Sequence, residues 1–370
     1  MKWVMSLLGL LLLVQPVWAQ QQWTLHSLGG MNTLRVVAIN KLPTGQHEVL
    51  GMQGGQALTV TADGSGHFLG FLPGGSFSRA AGGCAGFVAG ESAAGAFGVH
   101  THAWDLVGGA LRDLGAALGP PDLFSAATSV NCQGRSAGFG DDPSAPTTQR
   151  ALTWDMTGAV TLLPRFAGSS GFHVAEKVNN NTPPEFVGYG AISTGAFHCA
   201  LWHADLTIHD CHFTGTSSQA HDLTETGPTV VGNVQGASGT LGFVWTEASG
   251  GQLLPPLPGL STSFTLGINN SELKVGYSQG PVPRSGPPPQ EATIWEAGST
   301  TPVRLLDRVT NPTGWTLQIC QGVSEQQVIV CRGTIDGTTV AVLALPVLTT
   351  TPSDSPTAPK PERGRPGRRR

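Results

Sequence analysis

The segment "FHCALWHADLTIHDCHF" sets His198, His203, His209 and His212 beside Cys199 and Cys211. Imidazole and thiolate are the natural ligands of zinc and copper, so a metal site would first be sought here. Read as a strand, however, "LTIHDCH" alternates, with His209 and Cys211 on one side and Asp210 and His212 on the other. The expectation is therefore no metal and no cofactor, with His198, His209 and His212 as the residues to inspect first.

Carboxylates are the other candidates for chemistry. A glycosidase needs two of them held at a set distance across a cleft. Glu91, Asp105, Asp113, Asp155, Glu247 and Glu296 mostly follow a tryptophan or stand in turns, which suits hairpin and solvent-facing roles. Asp141 and Asp142 could touch a cation, but a loop pair is usually just solvated. Gly-x-Ser-x-Gly occurs twice, as "GRSAG" (Gly134–Gly138) and "GYSQG" (Gly276–Gly280), but both fall in apolar strand segments of a chain without helix periodicity, not at a strand-to-helix turn. There is no His-Glu-x-x-His and no phosphate loop. A constellation assembled from distant segments would leave no such motif. Asn180 and Asn269 open Asn-x-Thr/Ser triplets, a pattern that also arises by chance.

Any such constellation must be carried by a repeat. Trp104, Trp154, Trp202, Trp245 and Trp295 each end a short apolar run, at steps of 50, 48, 43 and 50 residues. A degenerate copy, "QALTV", ends at Val60, and another, "VAVLAL", lies near Leu345. In phase with these runs comes an apolar strand ending in glycine, at Gly51, Gly90, Gly138, Gly188, Gly232 and Gly276, with Cys331 in the seventh place. Four short apolar segments per unit of about 48 residues is the size of a propeller blade. With Gly at 51, Pro at 27 and only 12% charged residues, composition favours short strands and tight turns over helices. The expected fold is all-β, a propeller of seven four-stranded blades, with six blades as the alternative. The tryptophans are read as packing between blades. Each glycine marks either a positive φ or a close backbone approach. A closed ring built this way completes one blade from both chain ends, bringing "WTLHSL" beside "TVAVLAL".

The unit resembles the HAF repeat of bacterial extracellular repeat proteins. The matching residues are "HAW" (His102–Trp104), "DLGAALG" (Asp113–Gly119), "GFLPGG" (Gly70–Gly75), "AIN" (Ala38–Asn40) and "VVG" (Val230–Gly232). The leading histidine is replaced by Arg150 in the third copy, and Phe243 stands near its place in the fifth. The resemblance covers nearly the whole chain after the first twenty residues. It implies a propeller-like architecture and an extracellular address, and carries no catalytic residues.

Residues 1–19 read as a secretory signal peptide, with Lys2, a short apolar run and a small residue at Ala19. The run is too short to span a bilayer comfortably. Residues 20–347 carry the repeats, and 348–370 form a Pro-, Thr- and Arg-rich tail that cannot build a core. Six cysteines in an oxidising compartment suggest three disulfides. Cys199 and Cys211 flank one hairpin and Cys320 and Cys331 another, which leaves Cys84 with Cys132. Without its basic tail the chain is acidic, which disfavours nucleic acid as a partner. The reading these features favour is a secreted or periplasmic, monomeric, non-catalytic protein with no transmembrane segment. Its loops would bind an envelope glycan, a peptide or a protein. The alternative is an extracellular polysaccharide hydrolase or lyase with its site at the central channel. Convergence of two carboxylates, or of His with Asp, at one channel mouth would favour the enzyme.

Overall fold

The computed structural model describes residues 21–28, 35–41, 46–94, 100–107 and 109–347, with only the backbone of 35–41, 100, 101 and 107. The signal-peptide segment 1–19 and the tail 348–370 lie outside the described residues. Every regular element described is a β-strand, apart from the single 3-10 turns Gly115–Leu118 and Leu305–Arg308. The strands form seven four-stranded sheets, all antiparallel. Blades 1 to 6 span residues 35–70, 78–113, 125–162, 173–210, 217–254 and 262–304. Blade 7 takes three strands from 315–346 and its fourth from 23–27. The first strand of each blade touches the first strand of the next, and that of blade 7 touches that of blade 1. The molecule is a seven-bladed β-propeller, not a six-bladed one.

Both chain ends close the ring. Trp23–Ser27 pairs antiparallel with the last strand, Trp23 facing Pro346 and Ser27 facing Val342. Asn311 clamps the joint from the side: its Oδ1 accepts the Leu25 N–H at 2.9 Å and its Nδ2 donates to the Leu25 carbonyl at 3.2 Å. The Trp23 indole donates to the Gln327 carbonyl at 2.8 Å, reaching a loop of the same blade from the far end of the chain.

Between blades the core is apolar, and the recurring tryptophans stand in it. Trp154, Trp202 and Trp295 are fully buried. Each donates its indole N–H back to the preceding blade, to the carbonyls of Leu114, Pro164 and Pro255 at 3.0, 2.8 and 3.2 Å. Trp245 packs at the junction of blades 4 and 5. Trp104 is buried between blades 1 and 2, but at a different level. It faces Gly90, as Leu152 faces Gly138 and Ala200 faces Gly188; Leu106 holds the place that Trp154 and Trp202 occupy in their blades. The spacing of 50 residues before Trp154 therefore mixes two positions of the repeat.

The three disulfides join Cys84–Cys132, Cys199–Cys211 and Cys320–Cys331. The second closes a hairpin of blade 4, where the Cys211 N–H also donates to the Cys199 carbonyl. The third links directly opposed residues of blade 7. The first ties blade 2 to blade 3 at the ends of their first strands.

The repeated glycine answers to a repeated irregularity. The first strand of every blade carries a β-bulge, at Val36/Ala38, Ala80/Gly82, Ala127/Ser129, Ala175/Lys177, Ala220/Asp222, Thr265/Gly267 and Cys320/Gly322. The residue just before each bulge faces Gly51, Gly90, Gly138, Gly188, Gly232, Gly276 and Cys331 in turn. At Gly188, Gly232 and Gly276 an added Cβ would overlap the carbonyl oxygens of Val174, Gln219 and Phe264. The bulge swings the first strand onto the second, and only glycine leaves room.

Gly232→Ala should therefore cost about 3 kcal/mol or more, since neither backbone can retreat. Urea unfolding checks this; a wild-type midpoint would mean the close approach is absent. Deleting Thr338–Pro346 removes the strand on which the N-terminal strand pairs, and cooperative unfolding should be lost. A truncated chain that still melts in one sharp step would show that closure is dispensable.

Candidate functional site at the axial cavity

The bulges also decide what faces the axis. In a regular strand residues i and i+1 point to opposite faces. A bulge sets two residues against one and re-aims a side chain. Glu176 and Lys177 of blade 4 consequently line the same cavity, and so do His221 and Asp222 of blade 5. The cavity measures about 670 Å³. Glu225 and Glu325, from loops that follow the first strands of blades 5 and 7, place its mouth at that end of the ring. Among the described residues no Phe, Tyr or Trp lines it.

Most of the charge here is already partnered. Lys177 Nζ lies 3.2 Å from Glu225 Oε1 and 3.8 Å from Asp222 Oδ1. Asp222 Oδ2 accepts the Ile268 N–H of blade 6 at 2.9 Å, and Oδ1 accepts the Leu223 N–H at 3.0 Å. Burial alone would lower Lys177, but the carboxylates of Glu225 and Asp222 outweigh it and hold the ammonium above the ordinary lysine value. Burial pushes Asp222 up to about 6, with Lys177 pulling against it, so it is ionised at neutral pH. His221 is pushed down to about 4 by burial and is neutral. Its tautomer follows from its neighbour. Asn233 Oδ1 accepts the Thr265 N–H, so Asn233 Nδ2 donates to His221 Nε2 at 2.8 Å and the ring proton sits on Nδ1.

Glu176 is different. Among the described residues it makes no hydrogen bond or ion pair, and its carboxyl is part-exposed to the axial space while protein surrounds it. Burial pushes it up to about 7, and the nearby Arg79, itself paired with Glu91 at 2.9 Å, offsets this only in part. A carboxyl poised near neutrality can bind a cation or exchange a proton.

A polar girdle surrounds the mouth. The Cys132 N–H donates to Asn180 Oδ1 at 2.7 Å, and Asn180 Nδ2 donates to Glu225 Oε2 at 2.6 Å. The Thr226 N–H donates to Asn270 Oδ1 at 3.0 Å, and the Asn270 N–H reaches both oxygens of Glu325 at 3.0 and 3.1 Å. Each step crosses from one blade to the next, from blade 3 to blade 7. Asn180 is thus occupied by the girdle, and the buried Asn269 donates to the Ser324 carbonyl at 2.9 Å. Neither triplet presents its asparagine freely to solvent.

The residues singled out in the sequence lie elsewhere. His198 and His212 stack at 4.0 Å between ring centres, and His198 Nδ1 lies 2.8 Å from Asp210. His209 points to the other side of its strand, 5.3 Å from the Trp245 ring, so these three histidines do not converge. His102 is buried, with Nδ1 3.0 Å from Asp113 and Nε2 3.1 Å from the Pro121 carbonyl. The bond it donates to the Asp113 carboxylate raises its pKa against the effect of burial. The spacing of "HAW" to "DLG" is thereby a side-chain clip across one hairpin. Asp105 pairs with Arg112, Glu296 with Arg308, Asp142 with Arg150 and Arg165, while Asp155 caps its own turn through Thr157 and Ala159. The linear reading missed Glu176, Lys177, His221, Asp222 and Glu225. Their one signal is that "EK" and "HD" fall 45 residues apart, at the same phase of the repeat.

No family model and no curated protein matches the chain. Among solved structures it is similar to a gluconolactonase from Xanthomonas campestris, at 11% identity over 88% of this chain and 95% of that one, with a TM-score of 0.41. It is also similar to the β-propeller domain of the Trilobed protease from Pyrococcus furiosus, at 10% identity over 85% and 95%, with a TM-score of 0.47. These likenesses concern the scaffold and carry no information about activity.

Glu176 gives the cavity a pH signature. Its folded value is raised, so the folded state holds the proton more tightly and this group's contribution falls as pH rises from about 4.5 to about 7. Glu176→Gln removes that loss. The variant should gain about 1–2 kcal/mol over wild type at pH 8 and little at pH 4, the channel water having softened the full linkage value. Urea titrations at both pH values read the difference; an equal gain at each would mean that Glu176 titrates normally.

Proposed function

We propose that this chain is an exported binding protein of the HAF-repeat kind, whose ligand is a small polar molecule presenting a cationic nitrogen to Glu176. The observation carrying this reading is that Glu176 is the one carboxylate of the cavity lining without a hydrogen bond or ion pair among the described residues. Among the described residues carboxylates outnumber the cations Lys177 and Arg79 around the cavity, which disfavours an anionic ligand. A primary ammonium or a guanidinium can donate hydrogen bonds to a carboxylate. A quaternary ammonium would want an aromatic cage, and a sugar ring a stacking platform, and among the described residues the lining offers neither. Export is supported by three disulfides. Among the described residues no helix is long and apolar enough to cross a membrane.

A second reading rests on the same carboxyl. Carboxylates and a histidine do converge at the mouth, the condition that favours an enzyme, and a group titrating near 7 suits general acid–base work. Asp222 and Glu225, however, are held by Lys177 and by amide donors, which leaves no second free carboxylate for a glycosidase pair. An activity of this cavity would be proton transfer by Glu176 beside the neutral His221. Binding needs fewer groups and fits better.

Calorimetric titration of residues 20–370 with primary amines and guanidinium compounds, quaternary amines and neutral oligosaccharides tests the proposal. Primary amines or guanidinium compounds should bind, with affinity climbing by up to about tenfold per pH unit until about pH 7. Glu176→Gln should abolish that binding. Neutral oligosaccharides that bind wild type and Glu176→Gln equally well would overturn it.

A further inference from the structure

We infer that His203, His209 and Glu247 form a site for a divalent transition metal of the zinc class, bridging blades 4 and 5. This inference is independent of the axial cavity. His203 opens the turn into the outermost strand of blade 4, and His209 lies within that strand, Ile208–Asp210. Glu247 stands in the turn before the outermost strand of blade 5. His203 Nε2 and His209 Nδ1 approach the same oxygen, Glu247 Oε1, at 3.8 and 3.7 Å, and all three atoms lie within 4.8 Å of one another. Zinc bonds of about 2.0–2.2 Å place tetrahedral ligand atoms about 3.3–3.5 Å apart, so side-chain rotations that move the ring atoms by up to about an ångström complete the cage. Those approaches are too long for hydrogen bonds, so the three atoms converge without sharing a proton.

The orientation of His203 is the second argument. Its Nδ1 lies 3.2 Å from Glu185 Oε1, and an ionised carboxylate can only accept, so Nδ1 carries the proton. The lone pair of Nε2 is thereby turned toward Glu247. A carboxylate behind the ligating histidine is the usual outer shell of a zinc site. Glu185 is itself fixed, taking Nδ2 of Asn179 at 3.2 Å and of Asn181 at 3.1 Å on Oε2. On the other side the Trp245 ring limits the swing of His209. Cys199 and Cys211 are joined to each other and supply no thiolate. Two imidazoles and one carboxylate leave one position of a tetrahedron for water.

The test uses residues 20–370 stripped with chelator and titrated with Co2+, whose visible absorption reports coordination geometry. One equivalent should bind with the intense bands of a four- or five-coordinate ion, and Zn2+ should displace it. His209→Ala and Glu247→Ala should each weaken binding by about tenfold or more. His212→Ala, whose ring stacks on His198 and bonds Ser218 Oγ at 2.9 Å but does not face Glu247, should bind as wild type does. All three positions are at least partly exposed, so far-UV circular dichroism should show each variant folded. Absence of stoichiometric binding by folded wild type would overturn the inference. So would Co2+ binding that persists unchanged in the folded His209→Ala and Glu247→Ala variants, or that is lost in His212→Ala.

Discussion

Five residues from one end of the chain, Trp23–Ser27, lie hydrogen-bonded along Val342–Pro346 from the other. A blade buries its two faces only against its neighbours, so an open row would leave two apolar faces in water. Pairing the chain ends within one blade removes that defect and converts the row into a ring. The axial cavity exists only because of this. Arg79, Glu176, His221 and Gln321 come from blades 2, 4, 5 and 7, and they face one another only while the ring is shut.

Within the ring, one irregularity serves both scaffold and site. The bulge in each first strand presses it onto the second and requires the repeated glycine. The same bulge turns consecutive residues toward the axis, which is how a basic and an acidic neighbour such as Lys177 and Glu176 share one cavity. Blade 7 departs from the pattern where Cys331 replaces the glycine and is bonded to Cys320 across the strands. There a covalent bond across the strands stands where the other blades have the close backbone approach.

The mouth of the ring is held by polar ties and its interior by apolar packing. The Asn–Glu girdle joins blades 3 to 7 on the side where the cavity opens, and the Cys84–Cys132 bond continues it to blade 2. The turns bearing His203 and Glu247 stand farther out at the same end. That end therefore carries charged and coordinating groups on a backbone tied from blade to blade. Such preorganisation lets side chains meet a ligand without ordering a loop first.

Much of the architecture was legible in the linear sequence, because a propeller repeats its local chemistry in every unit. The glycine within the second strand of blades 1 to 6, the apolar run before the tryptophan, and the opposed cysteines of one hairpin are all short-range features. They set blade number, ring closure and disulfide pairing. Trp104 escaped correct placement because two positions of one strand both accept a large ring, and spacing alone cannot separate them. The candidate sites were not legible, for a different reason in each case. Glu176 and Lys177 read as facing opposite ways until the bulge overrides strand alternation. Glu176 and His221, like His203 and Glu247, are each separated by some forty-five residues and meet only because stacked blades bring equivalent levels together. Local patterning determined the repeating unit; the closed stacking of seven such units decided which side chains share a space.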